Sequence, residues 1–310
     1  MDFIIILFMT SFNLKNIPSQ KGRTAIVTGA NTGLGFETAL VLAKKEMKVI
    51  MACKSLKRAE NAKRRILREE PEADLEIMIV DLRSLSSIRK FVKSFLPRYN
   101  QLDILVNNAG IMIPPYSKTE DGFESQMGVN YFGHFLLTGL LFDTLTKTPG
   151  SRIISLASNA HKKGYINFDN LNWEKNYSPM AAYRQSKLAC LMFAYELQRR
   201  LENEGYPTIS VAAHPGLSVT DILRKVPKWL LYISQPITNL FTHSPANGAL
   251  PVLYAALGQD VKGGEYFGPQ GKNEWTGKPG KVRSTPLSHD KEIARQLWEV
   301  SEKLTGIRYG

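Results

Sequence analysis

Short apolar runs alternate with amphipathic stretches along most of this chain. Six of these runs have the length of buried strands, and they cover residues 24–28, 48–53, 75–80, 102–106, 152–157 and 208–213. Between them, apolar residues recur at spacings of three and four, which is typical of helices that pack by one face. The alternation predicts an α/β fold, with one doubly wound parallel sheet and helices on both faces. A further short run at 265–267 brings the expected sheet to about seven strands.

The first predicted strand runs into a glycine-rich turn, and a helical pattern follows. Glycines let the backbone turn tightly and approach a pyrophosphate, which binds the free N–H groups at the positive end of the helix. A strand, a glycine turn and a helix in this order therefore predict a dinucleotide site. The spacing is Gly-x-x-x-Gly-x-Gly, and the expected cofactor contacts are Gly29, Asn31, Thr32, Gly33, Leu34 and Gly35.

The residues after the second strand bear on which nicotinamide cofactor binds. In this architecture an acidic residue there would bind the ribose 2′-hydroxyl, whereas a basic residue suits a 2′-phosphate. The chain has Cys53-Lys54 at this point and no acid within reach. We therefore predict NADP rather than NAD. Thr32 adds no charge in the glycine turn, so the prediction depends mainly on Lys54.

The other predicted strands also end in polar or small residues. Because the carboxyl ends of parallel strands meet at one edge of a sheet, we expect these residues to line a ligand cleft there. Asp81 and Leu82 would lie beside the adenine, and the small residues of the Asn107–Gly110 segment would let the cofactor pass. The expected contacts from the strand ends are Asp81, Leu82, Asn107, Ala109, Gly110, Pro215 and Gly216, and Ser158 follows the fifth strand.

A tyrosine and a lysine lie four residues apart near the start of an apolar helix. Ser178 can cap this helix and Pro179 suits its first position, so Tyr183 and Lys187 share one face. A phenol has a pKa of ~10, and a nearby ammonium lowers that pKa towards the range useful for proton transfer. The spacing alone is common, and an ordinary tyrosine beside a solvated lysine is the alternative interpretation.

Composition narrows the classes of function. The chain has 310 residues, of which 43% are apolar and 22% charged, as in folded proteins. The formal charge is +12, but the basic stretch 44–68 contains no aromatic residue on which bases could stack, so we expect no nucleic acid partner. The two cysteines offer neither a disulfide framework nor metal-ligand spacing. They favour a reducing, cytoplasmic setting.

Two segments stand apart from the alternation of strands and helices. We interpret residues 1–20 as an N-terminal extension and residues 21–310 as a single domain. The apolar stretch 3–9 is far shorter than the ~20 residues that span a bilayer. Residues 222–243, apolar and interrupted by Pro227 and Pro236, are expected to cover a hydrophobic substrate. Contact with a membrane surface and simple packing against the domain are the alternatives.

Together these motifs resemble the short-chain dehydrogenases/reductases over residues 20–305. The resemblance rests on the glycine turn, Asn107-Asn-Ala-Gly110, Asn130, Ser158, Tyr183-x-x-x-Lys187 and Pro215-Gly216. Finer features resemble the retinol dehydrogenase-like branch, which includes light-dependent protochlorophyllide reductase. They are Asn130-Tyr-Phe-Gly-His134-Phe, the 25-residue spacing from Ser158 to Tyr183, and Ser288-His-Asp290 with Leu297-Trp298. The resemblance implies a Rossmann-like fold.

The resemblance also implies catalytic roles. Tyr183 would be the general acid or base, while Lys187 would lower its pKa and hold the nicotinamide ribose. Ser158 would bind the substrate oxygen, and it stands alone because Ala157 replaces a second serine that the branch often has. Asn130 would keep a chain of water leading to Lys187. Thr220 would bind the nicotinamide carboxamide, whereas His134 and His161 are interpreted as structural.

We therefore expect an NADP-dependent oxidoreductase that acts on a lipophilic aldehyde, ketone or alcohol, such as a retinoid. One alternative is the reduction of protochlorophyllide or another enone by the same tyrosine and lysine. Another is a cofactor-binding regulatory protein without turnover, although such a protein would not need the catalytic residues. The apolar helix over 188–197 could also serve a homodimer interface.

Overall fold

Eight strands form one sheet in the computed structural model, which describes residues 12–216 and 244–309. The spatial order is β3-β2-β1-β4-β5-β6-β7-β8, and the first seven strands are parallel. The strands are β1 (Thr24–Thr28), β2 (Lys48–Cys53), β3 (Leu75–Ile79), β4 (Ile104–Asn107), β5 (Arg152–Leu156), β6 (Ile209–Ala213), β7 (Tyr266–Pro269) and β8 (Pro279–Lys281). The order reverses between β1 and β4, and such a switch point is where open parallel sheets bind ligands.

Helices cover both faces of the sheet, because alternate side chains of a strand point to opposite faces. In β1, Ile26 belongs to the core on one face, whereas Ala25 and Val27 belong to the core on the other. The helices are α1 (Gly33–Lys44), α2 (Leu56–Glu69), α3 (Leu85–Phe95), α4 (Gly133–Leu140), α5 (Phe142–Thr146), α6 (Pro179–Asn203), α7 (Pro245–Leu257) and α8 (Lys291–Thr305). Helices α1, α2 and α7 pack on one face, and α3, α4, α6 and α8 pack on the other. The predicted doubly wound α/β fold is confirmed.

Helix α6 begins where its sequence predicted. Ser178 accepts a hydrogen bond from the N–H of Ala181, and Pro179 occupies the first turn. All residues from 188 to 197 are buried within the single chain. The aromatic side chains of α8 and of Tyr309 pack against this helix and α4. The face that we considered for a homodimer is thus covered by the C-terminal part of the same chain.

The structure adds features that the sequence pattern did not predict. Strand β8 is antiparallel to β7 and contains Pro279 and Gly280, which have poor strand propensity. Between β4 and β5 the chain forms a π-helix, Met127–Phe132, which continues as α4 and α5. Among the residues described, no helix has the length and apolar character needed to cross a membrane.

The described part of the predicted N-terminal extension packs on the domain. Phe12 stacks on Tyr254 of α7 with ring centroids 4.5 Å apart, and Ile17 is buried in the same core. The predicted substrate-covering segment, 222–243, lies outside the described residues.

Candidate active site

A cleft of about 790 Å³ opens at the carboxyl edge of the sheet, beside the switch point between β1 and β4. Most of the predicted site residues line it. They are Gly29, Asn31, Thr32, Gly33, Leu34, Gly35, Lys54, Ala109, Gly110, Ser158, Tyr183, Lys187 and Pro215. Residues from six separate segments of the sequence therefore share one cavity.

The glycine turn shapes one wall of the cleft. Gly29 and Gly33 have φ angles of 69° and 56°, a left-handed backbone that glycine adopts without strain. At Gly35 a Cβ would collide with the carbonyl oxygen of Gly29, so only glycine fits there. Helix α1 begins at Gly33, and its first N–H groups have no partner within the helix. The wall is thus a cradle suited to a pyrophosphate.

A buried hydroxyl joins the glycine turn to the segment after β4. Thr28 Oγ accepts hydrogen bonds from the N–H groups of Asn108 and Ala109, both at 2.9 Å. The Asn108 side chain donates to the carbonyl oxygen of Thr28 at 2.7 Å. Asn107, which we predicted as a cofactor contact, instead donates to Thr138 of α4 and does not line the cleft. Asn108 lines it in its place.

His134 completes this network from α4. Its Nδ1 lies 2.9 Å from the carbonyl oxygen of Asn130, which can only accept, so Nδ1 carries the proton. Burial, with a smaller contribution from the Lys187 ammonium, lowers the pKa of His134 to about 4. The ring is therefore neutral, and its Nε2 accepts from the Thr28 hydroxyl at 2.9 Å. His134 supports the cleft wall from behind.

The end of the cleft near β2 is basic and solvent-exposed. Lys54 lies there with Ser55 and Arg58, which we had not predicted as contacts. Lys54 Nζ is 2.7 Å from Asp81 Oδ2, so the expectation of no acid within reach is wrong. Strands β2 and β3 pair with Cys53 opposite Ile79, and the residues just beyond their ends meet. Asp81 and Leu82, which we predicted as contacts, do not line the cleft.

Ser158, Tyr183 and Lys187 form the opposite wall. Lys187 is 5% exposed, and its Nζ donates to the carbonyl oxygen of Leu156 at 2.8 Å. The same Nζ is 6.0 Å from the centroid of the Tyr183 ring. Ser158 Oγ accepts from the N–H of Ala160 at 3.2 Å, so its own proton can be donated to a ligand. The wall combines a phenol, an ammonium and a hydroxyl donor.

Asn130 lies behind this wall, in the π-helix that precedes α4. Its Oδ1 accepts from the N–H of Ile111 at 2.8 Å, and its Nδ2 donates to the carbonyl oxygen of Ile111 and to Ser186 Oγ. The amide therefore joins the segment after β4 to α6, one residue before Lys187. Asn130 does not line the cleft, and its predicted water chain stays a prediction.

The turn after β6 closes the cleft near Ser158. Pro215 lines it, and Gly216 donates its N–H to His214 Nδ1 at 3.2 Å. Gly216 has a φ of 74°, and a Cβ there would collide with the carbonyl oxygen of Trp275. Thr220, the predicted contact for the carboxamide, lies outside the described residues.

Comparison with known proteins agrees with this geometry. The profile of the family described as short chain dehydrogenase matches residues 23–231, more than half of the chain. The chain belongs to this family. Human retinol dehydrogenase 13 is 42% identical over 92% of this chain and 85% of its own length. Polyprenol dehydrogenase from Danio rerio is 38% identical over 97% of this chain and 92% of its own length.

A solved structure is also similar to this short-chain dehydrogenase. It is the crystal structure of an uncharacterized protein from Mycobacterium Paratuberculosis, at 38% identity and a TM-score of 0.81. The match covers 97% of this chain and all of that one, at 100%. The predicted family is confirmed, and members of this family are oxidoreductases that bind a nicotinamide cofactor and act on CH–OH groups.

Several residues that line the cleft of this short-chain dehydrogenase were not predicted from the sequence. Ile111, Met112, Leu156 and Ala157 make the wall near Tyr183 apolar, and Ser55, Arg58 and Asn108 complete the rest. Arg58 was not predicted as a contact, although its place in the first turn of α2, which Ser55 caps, was a usable signal. The apolar residues carry no chemical signal, because only the fold brings them to the cavity.

Proposed function

We propose that this short-chain dehydrogenase uses NADP(H) to transfer a hydride to or from the carbonyl or alcohol carbon of a lipophilic substrate. One observation carries the proposal above the others. Ser158, Tyr183 and Lys187 share a cleft with a glycine cradle, and the exposed end of that cleft holds Lys54 and Arg58. A protein that only bound a cofactor would have no need of the first three residues.

The proposed chemistry assigns one task to each side chain. The nicotinamide, when bound, supplies or accepts the hydride. In reduction the Tyr183 hydroxyl donates its proton to the substrate oxygen, and in oxidation the phenolate takes a proton from the alcohol. Ser158 donates a hydrogen bond to the same oxygen, where negative charge develops. The Lys187 ammonium favours the phenolate form of Tyr183 through its positive charge.

The choice of NADP rests on the charges at the β2 end of the cleft. A 2′-phosphate there would meet Lys54, Arg58 and the start of α2, whose dipole favours an anion. Asp81 is the observation that favours NAD instead, because its carboxylate already pairs with Lys54. Two cations against one carboxylate support NADP.

The lipophilic substrate class rests on the cleft and on the relatives. Ile111, Met112, Leu156 and Ala157 provide an apolar surface next to the catalytic wall. The relatives named for retinol and polyprenol are dehydrogenases of lipophilic alcohols. Substrates of this kind partition into lipid, so we include contact with a membrane surface in the proposal. A flotation assay with phosphatidylcholine vesicles tests that part, and protein that stays at the bottom of the gradient contradicts it.

The main test combines cofactor binding with turnover. NADPH and NADH are titrated by fluorescence into the wild type and into Lys54→Asp, and oxidation of NADPH is then followed with retinal and with long-chain aldehydes. We expect tighter binding of NADPH than NADH, a weaker NADPH complex for Lys54→Asp, and aldehyde-dependent turnover.

Three results would contradict the proposal in different places. Tighter binding of NADH would overturn the choice of cofactor. Binding of NADPH without turnover on any aldehyde or alcohol would favour a regulatory protein. Turnover that survives in Tyr183→Phe would remove Tyr183 from the mechanism.

A further inference from the structure

A buried polar cluster lies behind Ser158 and outside the cleft. His161, His214 and Tyr266 are buried in it, and Glu274 and Lys162 lie at its partly exposed edge. The two imidazole rings flank Tyr266, with ring centroids 5.6 and 5.1 Å from it. No group of described residues is arranged to hold a metal ion, so the cluster needs another explanation. None of these side chains takes part in the chemistry proposed above.

Glu274 is the charged centre of this cluster. Its Oε1 lies 3.0 Å from Lys162 Nζ, and its Oε2 lies 3.2 Å from His214 Nε2. The second contact lacks the alignment of a hydrogen bond, so it is mainly electrostatic. Burial works against ionisation of Glu274, but His214 and Lys162 outweigh it and keep the pKa of this carboxyl below its usual range.

The charge of Glu274 selects the form of His214 that holds the turn after β6. Burial lowers the pKa of His214, so the ring is neutral. Its Nδ1 accepts from the N–H of Gly216 at 3.2 Å, which leaves the ring proton on Nε2, the nitrogen that lies 3.2 Å from Glu274 Oε2. A carboxylate beside Nε2 stabilises the tautomer with the proton on Nε2. It disfavours the tautomer with the proton on Nδ1, which could not accept from Gly216.

Glu274 and the residues next to it also hold the segment that carries Ser158. Lys162 belongs to the 3-10 helix Asn159–Lys163, which Ser158 caps. The Asn159 side chain donates to the carbonyl oxygens of Asn273 and Glu274, at 3.3 and 3.1 Å. His161 donates from Nδ1 to the carbonyl oxygen of Ser158 at 2.6 Å.

The backbone around Glu274 is adapted to this contact. Asn273 and Glu274 have φ angles of 55° and 56°, in the left-handed region that side chains other than glycine rarely adopt. Such a backbone persists only where surrounding contacts hold it. On the other side of the loop, the carbonyl oxygen of Trp275 packs directly against Gly216. The loop is therefore fastened to both strand ends.

We propose that Glu274 is a positioning residue that holds Ser158 and the Pro215-Gly216 turn in register with each other. The paired backbone of β5 and β6 ends with the bond from Ala157 N–H to the carbonyl oxygen of Ala213. Beyond that bond, Glu274 bridges the two segments through Lys162 and His214. One segment carries the donor to the substrate oxygen, and the other lines the cofactor cleft. The inference rests on the proposed function for the role of Ser158.

The test compares Glu274→Gln with Glu265→Gln as a matched control. The Glu265 side chain has the same exposure, 21%, and also pairs with a lysine, Lys281 at 2.8 Å. We expect Glu274→Gln to lower kcat by about 10- to 100-fold, since small displacements in an active site have effects of this order. In a Ser158→Ala background the same change should lower kcat less than about 2-fold. Glu265→Gln should leave kcat unchanged in both backgrounds.

If Glu274→Gln lowers kcat by the same factor in the wild type and in Ser158→Ala, Glu274 does not act through Ser158. An unchanged kcat in Glu274→Gln would overturn the inference outright. A second readout does not depend on turnover. Hydrogen exchange of peptides covering 155–163 and 209–216, and the Kd for NADPH, should both increase in Glu274→Gln and not in Glu265→Gln. Absence of turnover in the wild type would count against the proposed function alone, and unchanged exchange and Kd would then overturn the role of Glu274.

Discussion

The two ends of the cleft are built in opposite ways. Lys54 at the ribose end has a side chain that is 65% exposed, and its partner is another surface charge. Lys187 at the catalytic end is 5% exposed, and its Nζ donates to a backbone carbonyl. Exposed ion pairs contribute only about 0–1 kcal/mol and weaken with salt, whereas buried polar networks leave little freedom. The catalytic geometry is thus held rigidly, while cofactor preference is set by small and adjustable energies.

Tyr183→Phe, at the catalytic end of the cleft, should have the largest effect of the substitutions considered. The proton donor is lost while the ring remains, so we expect kcat to fall by about 10²- to 10⁴-fold, with the Kd for NADPH nearly unchanged. Stopped-flow or steady-state kinetics would measure kcat, and a binding titration would measure the Kd for NADPH. Tyr195→Phe on the same helix, whose hydroxyl bonds Ser284, is the control and should keep its kcat.

Thr28→Val should damage the support behind the cleft. The buried N–H of Asn108 and the partly buried N–H of Ala109 would lose their acceptor, and His134 would lose its donor. We expect the free energy of unfolding to fall by about 2–3 kcal/mol in urea denaturation. In the matched variant Thr38→Val, an equally buried hydroxyl without a partner is replaced, so stability should stay the same or rise.

The buried histidines should make stability fall in mild acid. Burial lowers the pKa of His134 and of His161 to about 4, against about 6.5 in an unfolded chain. Between these values the unfolded chain binds more protons, so each histidine lowers the free energy of unfolding by roughly 1.4 kcal/mol for each unit that pH drops from 6.5 towards 4.

His134→Gln should flatten this dependence, measured by urea denaturation at several values between pH 5 and 7. His289 is exposed, and His289→Gln should change the slope much less. A slope that His134→Gln leaves intact would argue against a neutral, buried His134 in the folded protein.

Asp81→Asn should change the ribose end by the smallest amount. Removing this carboxylate frees Lys54 for a 2′-phosphate, so NADPH should bind a few-fold more tightly while NADH does not improve. The gain should shrink in 0.5 M salt, because the charges are exposed. Equal gains for both cofactors would show that Asp81 does not discriminate between them.

Local patterns predicted most of the fold and much of the cleft. A few adjacent residues determine each of these features: the glycine turn, the capped helix of Tyr183 and the strand ends. The predictions that were wrong concern contacts between segments that are distant in the sequence. Lys54 and Asp81 are 27 positions apart and touch because β2 and β3 pair in one register. Whether Asn107 or Asn108 faces the cleft depends on the direction of alternate side chains at the end of β4.

The Glu274 loop was beyond sequence reasoning for a similar reason. Nothing in the residues 270–277 signals a left-handed glutamate, and its partners Lys162 and His214 lie far away in the chain. Strand β8 was missed because pairing with β7, rather than its own propensity, makes it a strand.

The covering of α6 by the C-terminal part of the chain has a consequence for biosynthesis. Trp298 of α8 stacks on Phe193, and the Tyr309 hydroxyl donates to the carbonyl oxygen of Phe135. One face of the sheet therefore cannot close its core until residues 291–309 have left the ribosome. Until then the aromatic surface of α4 and α6 is exposed in the nascent chain, and that is the interval in which we expect chaperones to bind it.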